Sequence, residues 1–242
     1  TAYEIKECDW SSDVCSSDLK QLEGDIIHML VTRPAPDFKA TAIMGDNSFK
    51  EISLADYKGK KVVLFFYPLD FTFVCPTEIL AFNHRLADFE KRGVQVLGCS
   101  VDSKWSHYGW KNTDIKNGGI GDIQYPILAD IEKKIARSYD VLKGSTPAAV
   151  LTEDGEEETT VNGDVALRAS FLIDEEGIVR HAVINDLPLG RNVDEMLRMV
   201  DALAFNQEHG EVCPAGWQEG DDTMQENFAG VASYLEKNAD KL

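Results

Sequence analysis

Apolar residues along this chain fall into short runs divided by polar turns, and their spacing changes from run to run. Val62-Val63-Leu64-Phe65-Phe66-Tyr67 is unbroken, follows Lys60-Lys61, and consists of β-branched, leucine and aromatic side chains. That is the pattern of a strand buried on both faces, in the middle of a sheet covered by helices. It stops at Pro68-Leu69-Asp70. From Pro76 onward, Ile79, Leu80, Phe82, Leu86 and Phe89 recur at helical spacing until Gly93, with proline and glycine where a helix begins and ends. Residues 94–101 predict a second strand, residues 105–111 the start of another helix, and residues 131–139 a short helix. Residues 166–173 and 178–184 predict two strands joined by the hairpin signal Asp174-Glu175-Glu176-Gly177. Residues 193–205 are amphipathic, with Val193, Met196, Leu197, Val200, Leu203 and Ala204 on one side. Strands alternating with helices, then a hairpin and a last helix, predict an α/β fold with a central sheet flanked by helices. Residues 143–164 are polar and include Glu153-Asp154-Gly155-Glu156-Glu157-Glu158, which predicts an exposed loop. Beyond Gln207 large apolar residues are few, as expected of an arm leaving the core.

Composition narrows the function more than the fold. The chain has 242 residues, of which 43% are hydrophobic and 27% charged, so it can bury a core. Its 24 basic residues face 42 acidic ones, a net charge of −18, and such a surface repels phosphate backbones. A nucleic-acid role is therefore not expected. No apolar run approaches the ~20 residues of a membrane helix, and a membrane role is not expected either. The first thirty residues lack the basic start and apolar centre of a secretory signal. A cytoplasmic location follows as the expectation. Five cysteines are too sparse for a disulfide scaffold, which shifts attention to which of them react.

Residues 1–28 stand apart. They show neither period, and they hold Cys8, Cys15 and the near-repeat Ser11-Ser12-Asp13-Val14-Cys15-Ser16-Ser17-Asp18. Residues 9–19 resemble a translated sequencing-library adapter, and Met29 resembles a natural start. The expected organisation is a non-native or disordered leader over 1–28, one domain over 29–206 and an arm over 207–242.

The chemistry converges on Cys75, between the strand ending at Tyr67 and the helix opening at Pro76. A cysteine in the first turn of a helix meets unpaired backbone N–H groups and the positive end of the dipole, and both favour thiolate over thiol. Thr72, three residues earlier, can set a hydroxyl beside the sulfur. Pro68 can form an apolar lid against water. Taken alone, a cysteine at a strand–helix junction is more often a small hydrophobe than a nucleophile.

The neighbouring residues reverse that balance. The segment Pro68-Leu69-Asp70-Phe71-Thr72-Phe73-Val74-Cys75-Pro76-Thr77-Glu78 resembles the active-site signature of the peroxiredoxins, in which proline, threonine or serine, and cysteine keep a fixed spacing. Pro68, Thr72 and Cys75 occupy those positions. Phe65-Phe66-Tyr67 before them and Val74-Cys75-Pro76-Thr77-Glu78 around the cysteine are similar to the typical two-cysteine subgroup. The resemblance runs from about Met29 to Leu242 and implies a thioredoxin-like core. It also implies a pocket arginine at Arg168, just before the strand at 169–174, and a supporting carboxylate at Glu78. Glu78 is equally compatible with plain dipole complementation in a first helical turn. Cys213, in Glu211-Val212-Cys213-Pro214-Ala215-Gly216-Trp217, matches the subgroup's resolving cysteine.

What the resemblance implies is a thiol peroxidase acting on hydrogen peroxide and organic hydroperoxides. Cys75 would become a sulfenic acid, and Cys213 of another subunit would condense with it to a disulfide. Thioredoxin or a flavin-linked reductase would restore both thiols, in a homodimer or a ring of dimers. No metal, haem or flavin is implied as a cofactor. Cys99, within Val96-Leu97-Gly98-Cys99-Ser100-Val101, reads as a buried strand residue. Easily over-oxidised members carry Gly-Gly-Leu-Gly and a C-terminal Tyr-Phe pair. Here the matching residues are Gly118-Gly119-Ile120-Gly121 and Tyr234-Leu235, which predicts intermediate sensitivity. Two other classes stay open: a thiol–disulfide oxidoreductase, weakened because Glu78 stands where Cys-x-x-Cys needs its second cysteine, and a non-enzymatic chaperone or redox sensor.

Overall fold

The computed structural model describes residues 29–144, 148–151, 157–160 and 163–241; the expectations for residues 1–28, with Cys8 and Cys15, lie outside them. The strands are β1 (Lys39–Ile43), β2 (Phe49–Ser53), β3 (Lys61–Phe66), β4 (Val94–Ser100), β5 (Ile127–Ala129), β6 (Leu142–Lys143), β7 (Ala148–Leu151), β8 (Glu157–Thr160), β9 (Val165–Ala166), β10 (Arg168–Ile173) and β11 (Val179–Asn185). The α-helices are α1 (Cys75–His84), α2 (Leu86–Lys91), α3 (Lys104–Lys111), α4 (Lys134–Ser138), α5 (Val193–His209) and α6 (Phe228–Asn238).

Seven strands form one mixed sheet in the order β11-β10-β3-β4-β5-β1-β2. β3, β4 and β5 are parallel neighbours, and β10 lies antiparallel to β3 with Phe171 opposite Leu64. Because successive side chains of a strand point to opposite faces, β3 divides the core in two. Val63, Phe65 and Tyr67 join Ile79, Phe82, Trp110, Met196 and Leu197 on one face. Val62, Leu64 and Phe66 join Leu97, Ile135, Tyr139 and Phe171 on the other. Phe65 stacks on Phe82 of α1 with centroids 4.3 Å apart, and Phe66 meets Tyr139 at 5.3 Å. The continuous apolar run is thus required by helices on both sides. Among the described residues no helix is long and apolar enough to cross a membrane.

Several sequence expectations change in detail. The helical segment from Pro76 to Gly93 is two helices, broken at Arg85, whose backbone sits at φ −99° and ψ 5°. Both halves rest on the same core, with Phe82 and Phe89 6.0 Å apart, so apolar spacing runs through the break unaltered. The helix expected over 131–139 shrinks to α4. Lys133 adopts a left-handed φ of 58°, Ile131 is exposed, and Asp130 caps the helix by accepting from the backbone N–H of Ile135 and Ala136. The strand expected over 166–173 divides at Leu167 into β9, paired with β6, and β10. Arg168, expected to precede the strand, is its first residue and pairs with Asn185. Within the segment expected to be a loop at 143–164, β7 and β8 form an antiparallel pair. β1, β2 and β5 were not expected, nor was α6, whose Phe228, Val231 and Leu235 are exposed.

Candidate active site

The chain leaves β3 at Tyr67, whose N–H still donates to Cys99 O at 3.0 Å, and must turn within seven residues to begin α1. Asp70 holds that turn. It is buried, accepts from Tyr67 Oη at 2.9 Å, meets His107 Nδ1 at 2.7 Å, and donates its own N–H to Asp102 Oδ2 at 2.8 Å. Phe71 then takes a positive φ of 53°, an uncommon conformation for a bulky residue. The result sets Thr72 against the first turn of the helix.

Thr72 Oγ1 lies 2.9 Å from both Cys75 Sγ and Leu69 O. One hydroxyl proton can serve only one of them at a time. An anionic sulfur is the stronger acceptor, so the hydroxyl turns toward a thiolate and back toward the carbonyl beside a thiol. Cys75 is the first residue of α1 and is fully buried. From the opposite side Arg168 Nη1 approaches the sulfur to 3.4 Å, while its Nε donates to Leu187 O at 2.5 Å.

Glu78 organises the guanidinium groups. Its Oε2 accepts from Arg168 Nη1 at 2.7 Å, and its Oε1 accepts from the backbone N–H of Arg191 at 2.9 Å and from Arg191 Nε at 2.8 Å. Burial is the largest influence on this carboxyl and pushes its pKa up. The hydrogen bonds and charges of Arg191, with the charge of Arg168, outweigh it and leave the pKa lowered. Arg191 also donates to Ala169 O at 2.5 Å and Ser170 Oγ at 3.1 Å, and its guanidinium lies 5.4 Å from the Phe65 ring centroid. Sequence reasoning missed Arg191. A signal was present, since a cation directly before Asn192, the N-cap of α5, opposes the helix dipole and needs a separate reason. It also missed the Asp70–His107 pair, which no local pattern reveals.

A cavity of about 750 Å³ opens beside this cluster, lined by Pro68, Leu69, Thr72, Val74, Arg168 and Leu187. Lys143, Gly144, Gly163 and Val165, at the two ends of the segment expected to be a loop, close another part of its wall. The remaining cysteines lie elsewhere. Cys99 is buried in β4, where burial and then Asp130 push its pKa well up, as suits an inert core thiol. Cys213 is half-buried, 3.5 Å from Ala202 O, and opens on a separate cavity of about 240 Å³. Cys75, Cys99 and Cys213 are all free thiols. The structure therefore brings Pro68, Thr72, Cys75, Glu78 and Arg168 together and leaves Cys213 at another site.

A thioredoxin-like sheet presenting a buried helix-terminal thiol to a hydroxyl and a guanidinium defines a thiol-based peroxidase. Comparison with known proteins agrees. The AhpC/TSA family model matches residues 31–182, and the model for the C-terminal domain of 1-Cys peroxiredoxin matches residues 202–237. Alkyl hydroperoxide reductase C of Helicobacter pylori is 54% identical over 216 residues, covering 88% of this chain and all of that one. Peroxiredoxin-2 of Macaca fascicularis is 50% identical over 208 residues, 86% of this chain and 96% of its own. The reduced 2-Cys peroxiredoxin of Plasmodium vivax superposes with a TM-score of 0.76 at 47% identity, covering 86% of this chain and 100% of that one. The chain belongs to the AhpC/TSA family of peroxiredoxins, thiol-dependent peroxidases.

Proposed function

We propose that Cys75 is the peroxide-reducing thiol of this enzyme and Cys213 the thiol that resolves it. The observation that carries the reading is the Cys75 sulfur, buried at a helix N-terminus with Thr72 Oγ1 at 2.9 Å and Arg168 Nη1 at 3.4 Å. The thiolate attacks the terminal oxygen of a hydroperoxide in line. The S–O bond forms, the O–O bond breaks, and the departing oxygen takes a proton to leave as water or an alcohol. Thr72, Arg168 and the Cys75 backbone N–H are the donors available to the two oxygens as charge moves between them. Pro68 borders the pocket and limits water, and Glu78 orients Arg168.

Cys213 then condenses with the sulfenic acid. A disulfide needs Cα atoms about 4.4–6.8 Å apart, which a buried residue inside α1 cannot offer. The first turn of α1 therefore unwinds in each cycle; it is tied by Thr77, whose N–H and Oγ1 both donate to Val74 O, at 3.0 and 2.7 Å. The proposed partner thiol belongs to a second copy of the chain, making a homodimer, or a ring of dimers, the working unit. In this reading residues 29–206 form the peroxidase domain and 207–242 the arm bearing Cys213. Thioredoxin or a flavin-linked reductase regenerates the thiols in the cytoplasm by exchange.

Stopped-flow measurement of peroxide consumption tests the assignment. Cys75→Ser is expected to abolish turnover, and undiminished turnover would refute the role of Cys75. Cys213→Ser is expected to keep the first oxidation and lose the intersubunit disulfide on a non-reducing gel.

A further inference from the structure

The turn at residues 213–217 is tied to α5 by an apolar contact at Trp217 and by polar contacts at Trp217 O and at Cys213, whose sulfur lies 3.5 Å from Ala202 O. Trp217 is buried, with its ring 5.1 Å from that of Phe205. Arg198 Nη1 donates to Trp217 O at 2.9 Å, while Arg198 Nε and Nη2 hold the two oxygens of Glu195, one turn earlier, at 2.7 Å each. That fork-on-fork grip fixes the guanidinium plane and aims the third donor at the turn.

The resolving step needs Cys213 as a thiolate. Burial pushes the Cys213 thiol up, and the charge of Arg198 acts against it. The other ionisable groups around this sulfur are already engaged or neutral. Arg180 is bonded to Asp174, Glu211 to Thr223 and Gln225, and His209 Nδ1 meets Phe205 O. His181 shares the Cys213 cavity with a buried Nε2 that has no hydrogen-bond partner among the described residues, and burial disfavours its charged form. Arg198, itself forked onto Glu195, is the group whose hydrogen bond reaches the turn that carries Cys213.

We infer that Arg198 is a positioning residue for the second half of the cycle, anchoring to α5 the turn at 213–217 that carries the Cys213 sulfur. The inference rests on Cys213 being the residue that resolves the Cys75 sulfenic acid. In that step the Cys213 sulfur attacks the Cys75 sulfur, an S–S bond forms and the S–O bond breaks. Cys213 is oxidised as the sulfenic sulfur is reduced, and the thiol proton leaves with the hydroxide as water.

The test follows the two half-reactions separately in reduced full-length enzyme mixed with one equivalent of hydrogen peroxide and quenched by alkylation. Arg198→Met is expected to slow disulfide formation about tenfold relative to sulfenic acid formation, and to move its pH midpoint up by about one unit. Arg198→Lys keeps the charge but not the fork, so it is expected to slow the step while holding the midpoint. A wild-type disulfide rate and midpoint in Arg198→Met would overturn the inference. Persistence of the disulfide in Cys213→Ser would instead remove its premise. If Arg198→Met does not fold, alkylation of Cys213 in the Cys75→Ser protein decides. Salt at about 1 M, which shortens the Debye length to about 3 Å, is expected to raise the alkylation midpoint, and a midpoint indifferent to salt counts against Arg198.

Discussion

Arg168 Nη1 lies 3.4 Å from Cys75 Sγ and 2.7 Å from Glu78 Oε2, so one nitrogen serves both the sulfur and the carboxylate. Glu78 turns its other oxygen to Arg191. Two guanidinium groups thus share a single carboxylate, and the cluster carries one positive charge in excess, buried beside the sulfur. A site of that composition receives an anion without reorganising.

Thr72 is the donor nearest the sulfur, and its removal is expected to be costly. Thr72→Val keeps the shape and loses the hydroxyl, which is expected to slow peroxide consumption about a hundredfold or more. Thr72→Ser is expected to retain most of the rate. Stopped-flow oxidation of the reduced enzyme compares them, and equal loss in both variants would assign Thr72 to packing.

Glu78→Gln leaves two buried arginines without their counter-charge and is expected to cost about 3–5 kcal/mol of stability at neutral pH. The pH dependence has a definite sign. A carboxyl whose folded pKa is lowered contributes stability that is complete above its unfolded value of 4.5 and is lost as pH falls through the folded value. Denaturant unfolding of wild type and Glu78→Gln is therefore expected to converge below about pH 4.5. A stability gap independent of pH would show that the carboxylate charge is not what Gln lacks.

Gly119 has no room for a side chain, since an added Cβ would lie 1.8 Å from Thr113 O. Gly119→Ala must displace backbone and is expected to cost about 1–3 kcal/mol in a urea titration. The disturbance should also reach the catalytic loop. Trp110 Nε1 donates to Gly118 O at 2.8 Å, and the Trp110 ring lies 5.7 Å from that of Phe71, the residue before Thr72. A slower oxidation of Cys75 is expected alongside the lost stability.

Over-oxidation tests the loop and the C-terminal helix together. Ile120 is fully buried in the loop, and Tyr234 lies in α6 beside Leu235. Mass spectrometry after a peroxide titration is expected to find sulfinic acid on Cys75 at intermediate doses. Complete resistance at high peroxide would contradict this.

The catalytic end of the site was legible because its residues are close in sequence and their geometry is local. Pro68, Thr72 and Cys75 span one turn and the first residue of one helix, so the short signature they resemble takes in all three. β3 was legible for another reason: it is covered on both faces, and continuous apolar character is the record of that. The break at Arg85 was not legible, because both helices keep their apolar faces on one core. β1, β2 and β5 escaped notice because all three are short, at five, five and three residues, with β2 at the sheet edge.

Sequence alone pointed to the α/β class through its local patterning, and to Cys75, Thr72 and Cys213 as the proposed reactive set through the signature they resemble. Tertiary structure decided how the charge is arranged. Arg168 on β10, Arg191 before α5 and Glu78 on α1 are remote in sequence and meet only because the sheet sets β10 beside β3, with α1 and α5 packed on the same face. The same holds for Asp70 and His107, and for Arg198 and the turn carrying Cys213. A buried charge is stable only when its partners surround it, and those partners come from separate elements that no local pattern connects.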